Sequence, residues 1–295
     1  MTNYYELVRS RPEIFNQLTC KDLLFVHYKC PVDNRFVDAW SHYNYIQFIL
    51  SGKKGFHGIG NSFYLKTGEG IFVSKGACIL EKFFEEPLCI ITFFIPDPYL
   101  KSFLKEHKTL INAHHVAGYR SNPLISLHVS EIIIAYIESV VPYFYSTQKP
   151  SEDLLELKFR ELLLTILTEP SNNELREYMQ NFLSPEYDPL QQVMEDNCLF
   201  NLKLNDYARL LNMSLSSFKR HFHFVYKTNP GQWLLDQKLN HSYKLLMKTN
   251  KSISDIGFES GFEDSTHFSH AFKKRFGISP LKYRKDTSTA TAVAN

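Results

Sequence analysis

The stretch that decides the fold is residues 253–284, with the sequence ISDIGFESGFEDSTHFSHAFKKRFGISPLKYR. Its pattern predicts a helix, a tight turn and a second helix. Ser252 followed three residues later by Asp255 is typical of a helix start, because each side chain can accept a hydrogen bond from the other residue's free backbone N–H group. Gly261 lies where the first helix has to end, and glycine adopts a left-handed backbone there without a Cβ clash.

The second helix of this stretch has an apolar face and a polar face. Asp264 is expected to cap its start, since a short carboxylate accepts hydrogen bonds from free backbone N–H groups. Helical spacing groups the apolar residues Phe268, Ala271 and Phe272, and it places on the other side Ser265, Thr266, Ser269, His270 and Lys273. Gly277 and Pro280 end the helix. A short, basic, polar-faced helix braced by a preceding helix is typical of a DNA-binding helix-turn-helix.

A second copy of this unit occurs earlier in the chain. Phe218 aligns with Phe268 at an offset of fifty residues, and the same offset relates Phe222 to Phe272, Tyr226 to Phe276, Asn229 to Ser279, Pro230 to Pro280 and Trp233 to Tyr283. Repetition at a fixed period argues against chance. We therefore predict two helix-turn-helix units, at about 203–226 and 252–277, joined by a linker helix over 232–248. A rigid linker would let two helices enter successive major grooves.

These residues resemble the DNA-binding domain of the AraC/XylS family of bacterial transcription regulators. The second unit follows the family signature over 253–284, from I-x-x-I-G-x-x-x-G-F to G-x-S-P-x-x-Y-R. Six positions depart from the usual family residue without breaking the fold: Lys227, Asn229, Lys238, Ser242, Gly257 and His270. The resemblance implies a DNA-binding domain over 188–286 and a dimeric activator that recruits RNA polymerase to promoter DNA, with repression as the alternative.

The resemblance also implies which side chains meet DNA. In the first unit Ser214 is expected to cap the second helix. The groove-facing positions of that helix correspond to Ser216, Lys219 and Arg220, and Arg220 has the donor geometry to bind guanine. The base-contact candidates of the second unit are Ser265, Thr266, Ser269 and His270. The phosphate-contact candidates are Ser217, His223, Lys273, Lys274 and Arg275. Trp233 and Tyr283 are expected to pack in the core.

The N-terminal part, residues 1–120, is predicted to be a β domain. Between Lys21 and Pro96, short runs rich in Val, Ile, Phe and Tyr alternate with glycine-containing turns. Many short strands at regular spacing predict a small barrel or a jelly roll. The segments that begin at Trp40 and Tyr64 resemble the cupin-like sensory domain of transcription regulators. The sequence leaves open whether the interior holds a small effector or is filled by the domain's own phenylalanines. The signal that the domain senses is either a small molecule or a partner protein.

A metal-dependent cupin enzyme fused to a DNA-binding domain is the alternative function. Such an enzyme needs three or four convergent His and carboxylate ligands. His42 is present, but Asn44 occupies the position of the second His, and no third His occurs near Cys78. We therefore expect His42 to be a hydrogen-bonded residue at the barrel mouth and His57 to be a strand or surface residue. We predict no metal, no cofactor and no enzymatic activity.

The middle segment, residues 121–187, is predicted to be helical. One helix is expected to begin at Pro123 and end at Pro142, with apolar residues at Ile125, Val129, Ile132, Tyr136 and Val140. A second helix, capped by Ser151, has a wide apolar stripe formed by Leu154, Leu155, Leu157, Phe159, Leu162, Leu163, Ile166 and Leu167. A stripe this wide is either buried in its own domain or shared with a second subunit. The dimer that the family resemblance implies would use these helices or the barrel. The linker SPEYDP follows at 184–189.

Composition sets the broad class of the protein. With 295 residues, 44% of them hydrophobic and 15% aromatic, the chain is long and apolar enough for two folded domains, followed by an expected disordered tail at 287–295. Residues 188–295 carry a net charge of +5 and the rest −3, so the C-terminal third is the part suited to phosphate. Five scattered cysteines argue against a disulfide framework. With no export or membrane-spanning segment, we expect an α+β protein of the cytoplasm.

Overall fold

The chain forms two compact units, Met1–Pro189 and Leu190–Asn295. The computed structural model describes residues 1–111, 122–185 and 187–293. The first unit is rich in strands and the second is helical, as the sequence predicts. The predicted division between residues 120 and 121 lies outside the described residues. Of the helices in the described part of the chain, none combines the length and the apolar character needed to cross a membrane.

The described strands of the first unit form two hydrogen-bonded sheets. The five-stranded sheet has the spatial order β1 (Thr2–Asn3), β4 (Phe36–Ser41), β9 (Gly76–Lys82), β6 (Lys53–His57) and β7 (Ser62–Lys66). The six-stranded sheet has the order β11 (Leu124–Leu127), β8 (Gly70–Val73), β5 (Asn44–Ser51), β10 (Cys89–Ile95), β3 (Leu23–Lys29) and β2 (Asn16–Cys20). Of the predicted barrel or jelly roll, the described strands form no closed barrel, because none of them pairs across the two sheets.

The six-stranded sheet is buried on both faces. Neighbouring residues of a strand point to opposite faces of a sheet. On β10, Phe93 lies in a core shared with helices, whereas Phe94 lies in a second core that contains side chains of both sheets. On β3, Phe25 and Leu24 divide in the same way. Strands buried on both faces are apolar along most of their length, which accounts for the continuous apolar runs in the sequence.

The core that the two sheets share is filled by the domain's own side chains. Helix α1 (Tyr4–Arg9) contributes Tyr4, whose hydroxyl group lies 2.8 Å from the Tyr28 hydroxyl. Lys54 is also buried there, donating a 2.7 Å hydrogen bond to Gln47, and burial lowers the pKa of Lys54 to about 8. The cavity beside it has a volume of about 60 Å³. That volume admits a few water molecules, whereas ligand pockets usually exceed about 300 Å³.

Helices cover the other face of the six-stranded sheet. They are α2 (Asp97–Glu106), a 3-10 helix (Lys108–Ile111), α3 (Glu131–Tyr145), α4 (Glu152–Thr168) and α5 (Asn173–Leu183). Ser151 caps α4 as predicted, since its hydroxyl oxygen accepts a 3.2 Å hydrogen bond from the backbone N–H of Leu154. Most of the wide stripe of α4 is buried in this core, including Leu163 and Leu167, but Leu157 is 63% exposed.

The helix predicted to begin at Pro123 is wrong at both ends. Residues 124–127 form β11, which pairs antiparallel with β8. As a strand this segment alternates between the two cores, with Leu124 in one and Ile125 in the other. The helix α3 begins only at Glu131, and it continues past Pro142 to Tyr145. Inside a helix, proline removes one backbone hydrogen bond and its ring crowds the carbonyl group four residues earlier, here that of Glu138, yet α3 continues for three residues beyond Pro142.

The helices of the described C-terminal part are α6 (Pro189–Asn197), α7 (Leu204–Leu210), α8 (Leu215–Tyr226), α9 (Pro230–Lys248), α10 (Ile253–Glu259), α11 (Ser265–Phe276) and α12 (Pro280–Val293). The helix α6, which begins at the last residue of the predicted linker SPEYDP, was not predicted from the sequence. Glu186 of that linker lies outside the described residues. The backbone of the predicted disordered tail is helical as far as Val293, because no glycine or proline interrupts it. Residues 294–295 lie outside the described residues.

Candidate nucleic-acid interface

Two helix pairs, α7–α8 and α10–α11, share one kind of core. The second helix of each pair buries two phenylalanines completely, Phe218 and Phe222 on α8 and Phe268 and Phe272 on α11. Each pair adds an aromatic contact from its first helix or turn: Tyr207 stacks on Phe218 with ring centroids 6.3 Å apart, and Phe262 lies 5.1 Å from Phe268. These are the faces predicted to be buried. The opposite faces of α8 and α11 therefore point outward.

The two outward helices begin at different caps. The hydroxyl oxygen of Ser214 accepts a 3.2 Å hydrogen bond from the backbone N–H of Ser217 at the start of α8. At the start of α11, the carboxylate of Asp264 accepts hydrogen bonds from the backbone N–H groups of Thr266 and His267, at 3.0 and 2.8 Å. The hydrogen bonds from His267 and Thr266 lower the pKa of the Asp264 carboxyl. Both predicted caps are confirmed.

The middle of the outward face of α8 carries two long cations. Lys219 and Arg220 are exposed, and neither forms a hydrogen bond or ion pair with another residue in the described part of the chain. The side chains of Lys219 and Arg220 can thus donate hydrogen bonds to a ligand without breaking a contact within the described chain.

The other predicted contact residues of α8 already have partners within the protein. Ser216 is exposed and Ser217 half-buried, and both hydroxyl groups lie about 3 Å from the Ser214 hydroxyl. His223 is exposed and donates from Nδ1 to the carbonyl oxygen of Thr228 at 3.3 Å. A contact from any of these three to DNA would therefore share or replace an existing hydrogen bond.

The outward face of α11 has short polar side chains first and cations last. Ser265, Thr266 and His270 are exposed, whereas Ser269 is half-buried. Three exposed cations occupy the C-terminal end of the helix, Lys273, Lys274 and Arg275. Arg275 Nε lies 3.8 Å from Asp236 Oδ1 on α9, a distance at which an exposed pair contributes little. The structure thus places all predicted contact residues of this unit on one helix.

An exposed apolar end on α8 was missed by the sequence analysis. Phe224 is 74% exposed and Val225 is 40% exposed. Lys227, which ends the helix with a left-handed backbone (φ 55°), holds its Nζ 4.8 Å from the centroid of the Phe224 ring. At the fifty-residue offset the second unit carries Lys274 and Arg275 instead. That contrast was the signal available in the sequence.

The linker helix α9 packs against both pairs. Trp233, near its start, lies 5.9 Å from Phe222 between ring centroids. Tyr243, about three turns later, accepts a 2.9 Å hydrogen bond from the Tyr283 hydroxyl, and Tyr283 also contacts Phe272. Trp233 and Tyr283 therefore pack in the two cores, as predicted. The candidate interface therefore consists of the outward faces of α8 and α11, and α9 packs against both helix pairs.

The candidate metal residues of the first unit are engaged in other contacts. His42 Nδ1 is hydrogen-bonded to the amide of Asn3 at 3.2 Å, and its ring packs on tyrosines. The Asn44 side chain is completely buried and donates to Asp97 at 2.9 Å. His57, on β6, is hydrogen-bonded to Ser62 and Glu81. In the parts of the chain that the structure describes, no three His, Cys, Asp or Glu side chains are grouped to hold a metal ion.

Comparisons with known proteins find matches in both units. The ExsA N-terminal regulatory domain family matches residues 44–178, and the Helix-turn-helix domain family matches residues 207–286. The thermoregulatory protein LcrF of Yersinia pestis is 26% identical over 81% of this chain and 88% of its own length. The virulence regulon transcriptional activator VirF of Yersinia enterocolitica is 25% identical over the same shares. The solved structure of ToxT from Vibrio cholerae has a TM-score of 0.40 at 16% identity, covering 90% of this chain and 98% of that chain.

The family assignment depends on sequence and local geometry together. The signature at 253–284 lies within the matched helix-turn-helix region, and its two helices have the predicted caps and buried phenylalanines. The N-terminal match is to a regulatory domain, so the enzyme alternative finds no support. The chain belongs to the AraC/XylS family of DNA-binding transcription regulators.

Proposed function

We propose that this regulator is a sequence-specific activator that binds double-stranded promoter DNA through two helix-turn-helix units. The observation that carries the proposal is the pair of outward polar faces on α8 and α11, each braced by two buried phenylalanines. The major groove of B-DNA admits one α-helix, and each base pair presents a distinct donor and acceptor pattern there. The description of VirF as a transcriptional activator supports activation, and recruitment of RNA polymerase would be its mechanism.

The base contacts are proposed to be strongest on α8. Arginine and lysine donate to the O6 and N7 atoms of guanine, and Arg220 and Lys219 are exposed with no partner in the described chain. Ser216 and the α11 residues Ser265, Thr266, Ser269 and His270 have shorter reach, so we assign them weaker base contacts. Specificity would then come mostly from the half of the operator that α8 contacts.

The phosphate contacts are proposed to be strongest on α11. Lys273, Lys274 and Arg275 form a cluster of exposed cations at the end of this helix. Neutralising phosphates gives affinity that does not depend on sequence and that falls as salt rises. Ser217 and His223 would add contacts on α8, although both already make hydrogen bonds within the protein.

The N-terminal unit is proposed to be a cupin-like regulatory domain whose effector is a protein. The small cavity beside Lys54 and the aromatic filling around it support this choice, because a sugar-sized ligand would have to displace buried side chains. The match to the ExsA regulatory domain supports a regulatory role for the unit. The protein would act in the cytoplasm, where promoter DNA is accessible to it.

The helices α3 and α4 are proposed to form the dimer contact. Four large hydrophobic side chains on them are exposed: Ile132 at 69%, Ile134 at 42%, Tyr145 at 61% and Leu157 at 63%. Large exposed apolar side chains of this kind are typical of protein interfaces. Sedimentation equilibrium of Leu157→Lys should show dissociation to monomers at concentrations where the wild type is dimeric. An unchanged mass would show that the dimer contact does not include Leu157.

Selection of genomic DNA fragments by the purified protein tests the proposed function. We expect recovery of one motif with two half-sites about one helical turn apart. Arg220→Ala should recover it poorly, whereas Lys244→Ala, which removes an exposed cation from α9, should recover it normally. When purified RNA polymerase transcribes from the recovered promoter, addition of the protein should raise the amount of transcript. Recovery of random fragments would contradict the proposal.

A further inference from the structure

A contact network away from the outward faces links the two helix pairs. Lys238, on α9, donates from Nζ to Asn201 Oδ1 at 2.8 Å and to the carbonyl oxygen of Gly261 at 2.7 Å. Asn201 lies just before α7, and Gly261 lies in the turn between α10 and α11. One side chain of the linker helix therefore holds a segment of the first pair and the turn of the second.

Two further contacts extend this network. The hydroxyl group of Tyr207, a buried residue of α7, donates to the carbonyl oxygen of Asn197 at 2.8 Å. Gly261 has a left-handed backbone (φ 82°), and a Cβ atom on it would lie 2.1 Å from the carbonyl oxygen of Leu199. The segment 197–201 thus lies directly against the turn of the second pair. The contacts form a continuous path from α7 to that turn.

Two oxygen acceptors fix the position of the Lys238 ammonium group. Both acceptors are neutral oxygens with defined lone-pair directions, so the ammonium group is held by geometry as well as by charge. An open groove of about 460 Å³ surrounds it, lined by side chains such as Phe200, Leu234 and Phe262. The close approach of Leu199 to Gly261 and the two hydrogen bonds of Lys238 therefore both hold the walls of this groove together.

The position of Lys238 along α9 explains what these bonds control. The first pair packs near Trp233, whereas the core of the second pair contains Leu239 and Leu246. Leu235 also packs against the second core, so Lys238 lies just beyond Trp233 and within the stretch of α9 that contacts the second pair. A helix can bend or twist, and a side chain near its middle that also holds Asn201 restricts motion of the first pair relative to the second.

We propose that Lys238 is a positioning residue that fixes the angle and distance between α8 and α11, and thereby sets the spacing of the half-sites that the protein accepts. The proposal rests on the proposed DNA-binding function of these two helices. It also assigns a role to a position where the family usually has arginine, which offers a matched conservative variant.

Binding to respaced operators tests this proposal. The selected operator is compared with versions that carry one base pair more or fewer between the half-sites, a change of about 34–36° in rotation. We expect the wild type to lose at least about tenfold in affinity on the respaced sites. Lys238→Met should bind the original site about tenfold more weakly but lose less than about threefold on respacing. Lys238→Arg should restore the spacing preference.

Controls separate positioning from folding and from charge. Lys244→Met removes the same charge from the same helix and should keep the wild-type preference. Asn201→Ala removes one acceptor at an exposed residue and should give an intermediate preference without loss of the helical circular dichroism signal. A wild-type spacing penalty in both Lys238→Met and Asn201→Ala would overturn the inference while leaving DNA binding intact. Failure of the wild type to prefer the selected site over random DNA would instead overturn the proposed function.

Discussion

The two helix pairs have the same interior and different surfaces. Phe218 and Phe222 on α8 correspond to Phe268 and Phe272 on α11, and all four are completely buried. On the outward faces the long cations lie at different positions along the two helices. The first helix carries Lys219 and Arg220 at its middle and an apolar end, whereas the second carries short polar groups at its middle and three cations at its end.

The two helix pairs therefore share a buried aromatic core and differ in the polar groups that they offer to DNA. The N-terminal part of the second helix of a helix-turn-helix contacts base edges, which leaves cations near its C-terminal end to the phosphates. We therefore infer that α8 supplies most of the sequence discrimination and α11 most of the sequence-independent affinity. Substitutions in the shared core, at the base contacts, at the phosphate contacts and at the caps test this difference between the two pairs.

The largest effects are expected in the shared core. Phe218→Ala and Phe268→Ala should each lower the free energy of unfolding of the second unit by about 3–5 kcal/mol, since each leaves a cavity among aromatic rings. Urea unfolding followed by Trp233 fluorescence in a Trp40→Phe background would measure both variants, because Trp233 is then the one remaining tryptophan of the chain. A much smaller loss for one of the two phenylalanines would show that the cores are not equivalent.

The next largest effects are expected at the base contacts. Arg220→Ala should weaken operator binding by about 1–3 kcal/mol and relax discrimination at one base pair, because a bidentate contact to guanine is lost. His270→Ala, the nearest counterpart on α11, should cost less than about 1 kcal/mol. Fluorescence anisotropy on operator and random DNA measures both. Equal losses of Arg220→Ala on the two DNAs would remove it from the base contacts.

Smaller effects are expected at the phosphate contacts. Lys274→Ala should weaken binding to all sequences alike and reduce the slope of log affinity against log salt by about 1. Phe224→Lys places a cation at the equivalent position of α8 and should increase that slope by about 1. Titrations between low and moderate salt give both slopes. An unchanged slope for Lys274→Ala would show that its ammonium group does not meet a phosphate.

The smallest effect is expected at the caps, and it depends on pH. The folded state lowers the pKa of the Asp264 carboxyl below its ordinary value of 3.8, so its stabilising contribution is present above that value and is lost as pH falls through the folded pKa. Ser214, the cap of the first pair, does not titrate. Thermal melts at pH 5 and pH 3 should therefore show a larger acid loss for the wild type than for Asp264→Asn. Identical losses would remove the carboxylate from the cap.

The sequence was most informative where the determinants are local. The caps Ser214 and Asp264, and the phenylalanines at a fixed offset, act within a few residues of their own helix, so pattern alone located them. The strand β11 was missed because its pairing with β8, about fifty residues earlier, decides its conformation. The role of Lys238 was missed for the same reason, since both of its acceptors are distant in sequence.

An exchange of the middle residues of α8 and α11 tests the division of tasks most directly. The variant combines Lys219→Ser and Arg220→His with Ser269→Lys and His270→Arg, which keeps the net charge and both cores. Affinities for a panel of single base-pair changes across the operator are measured for this variant and for the wild type. We predict that the most costly changes move from the half-site of α8 to the half-site of α11. A panel in which they stay in the original half-site would contradict it.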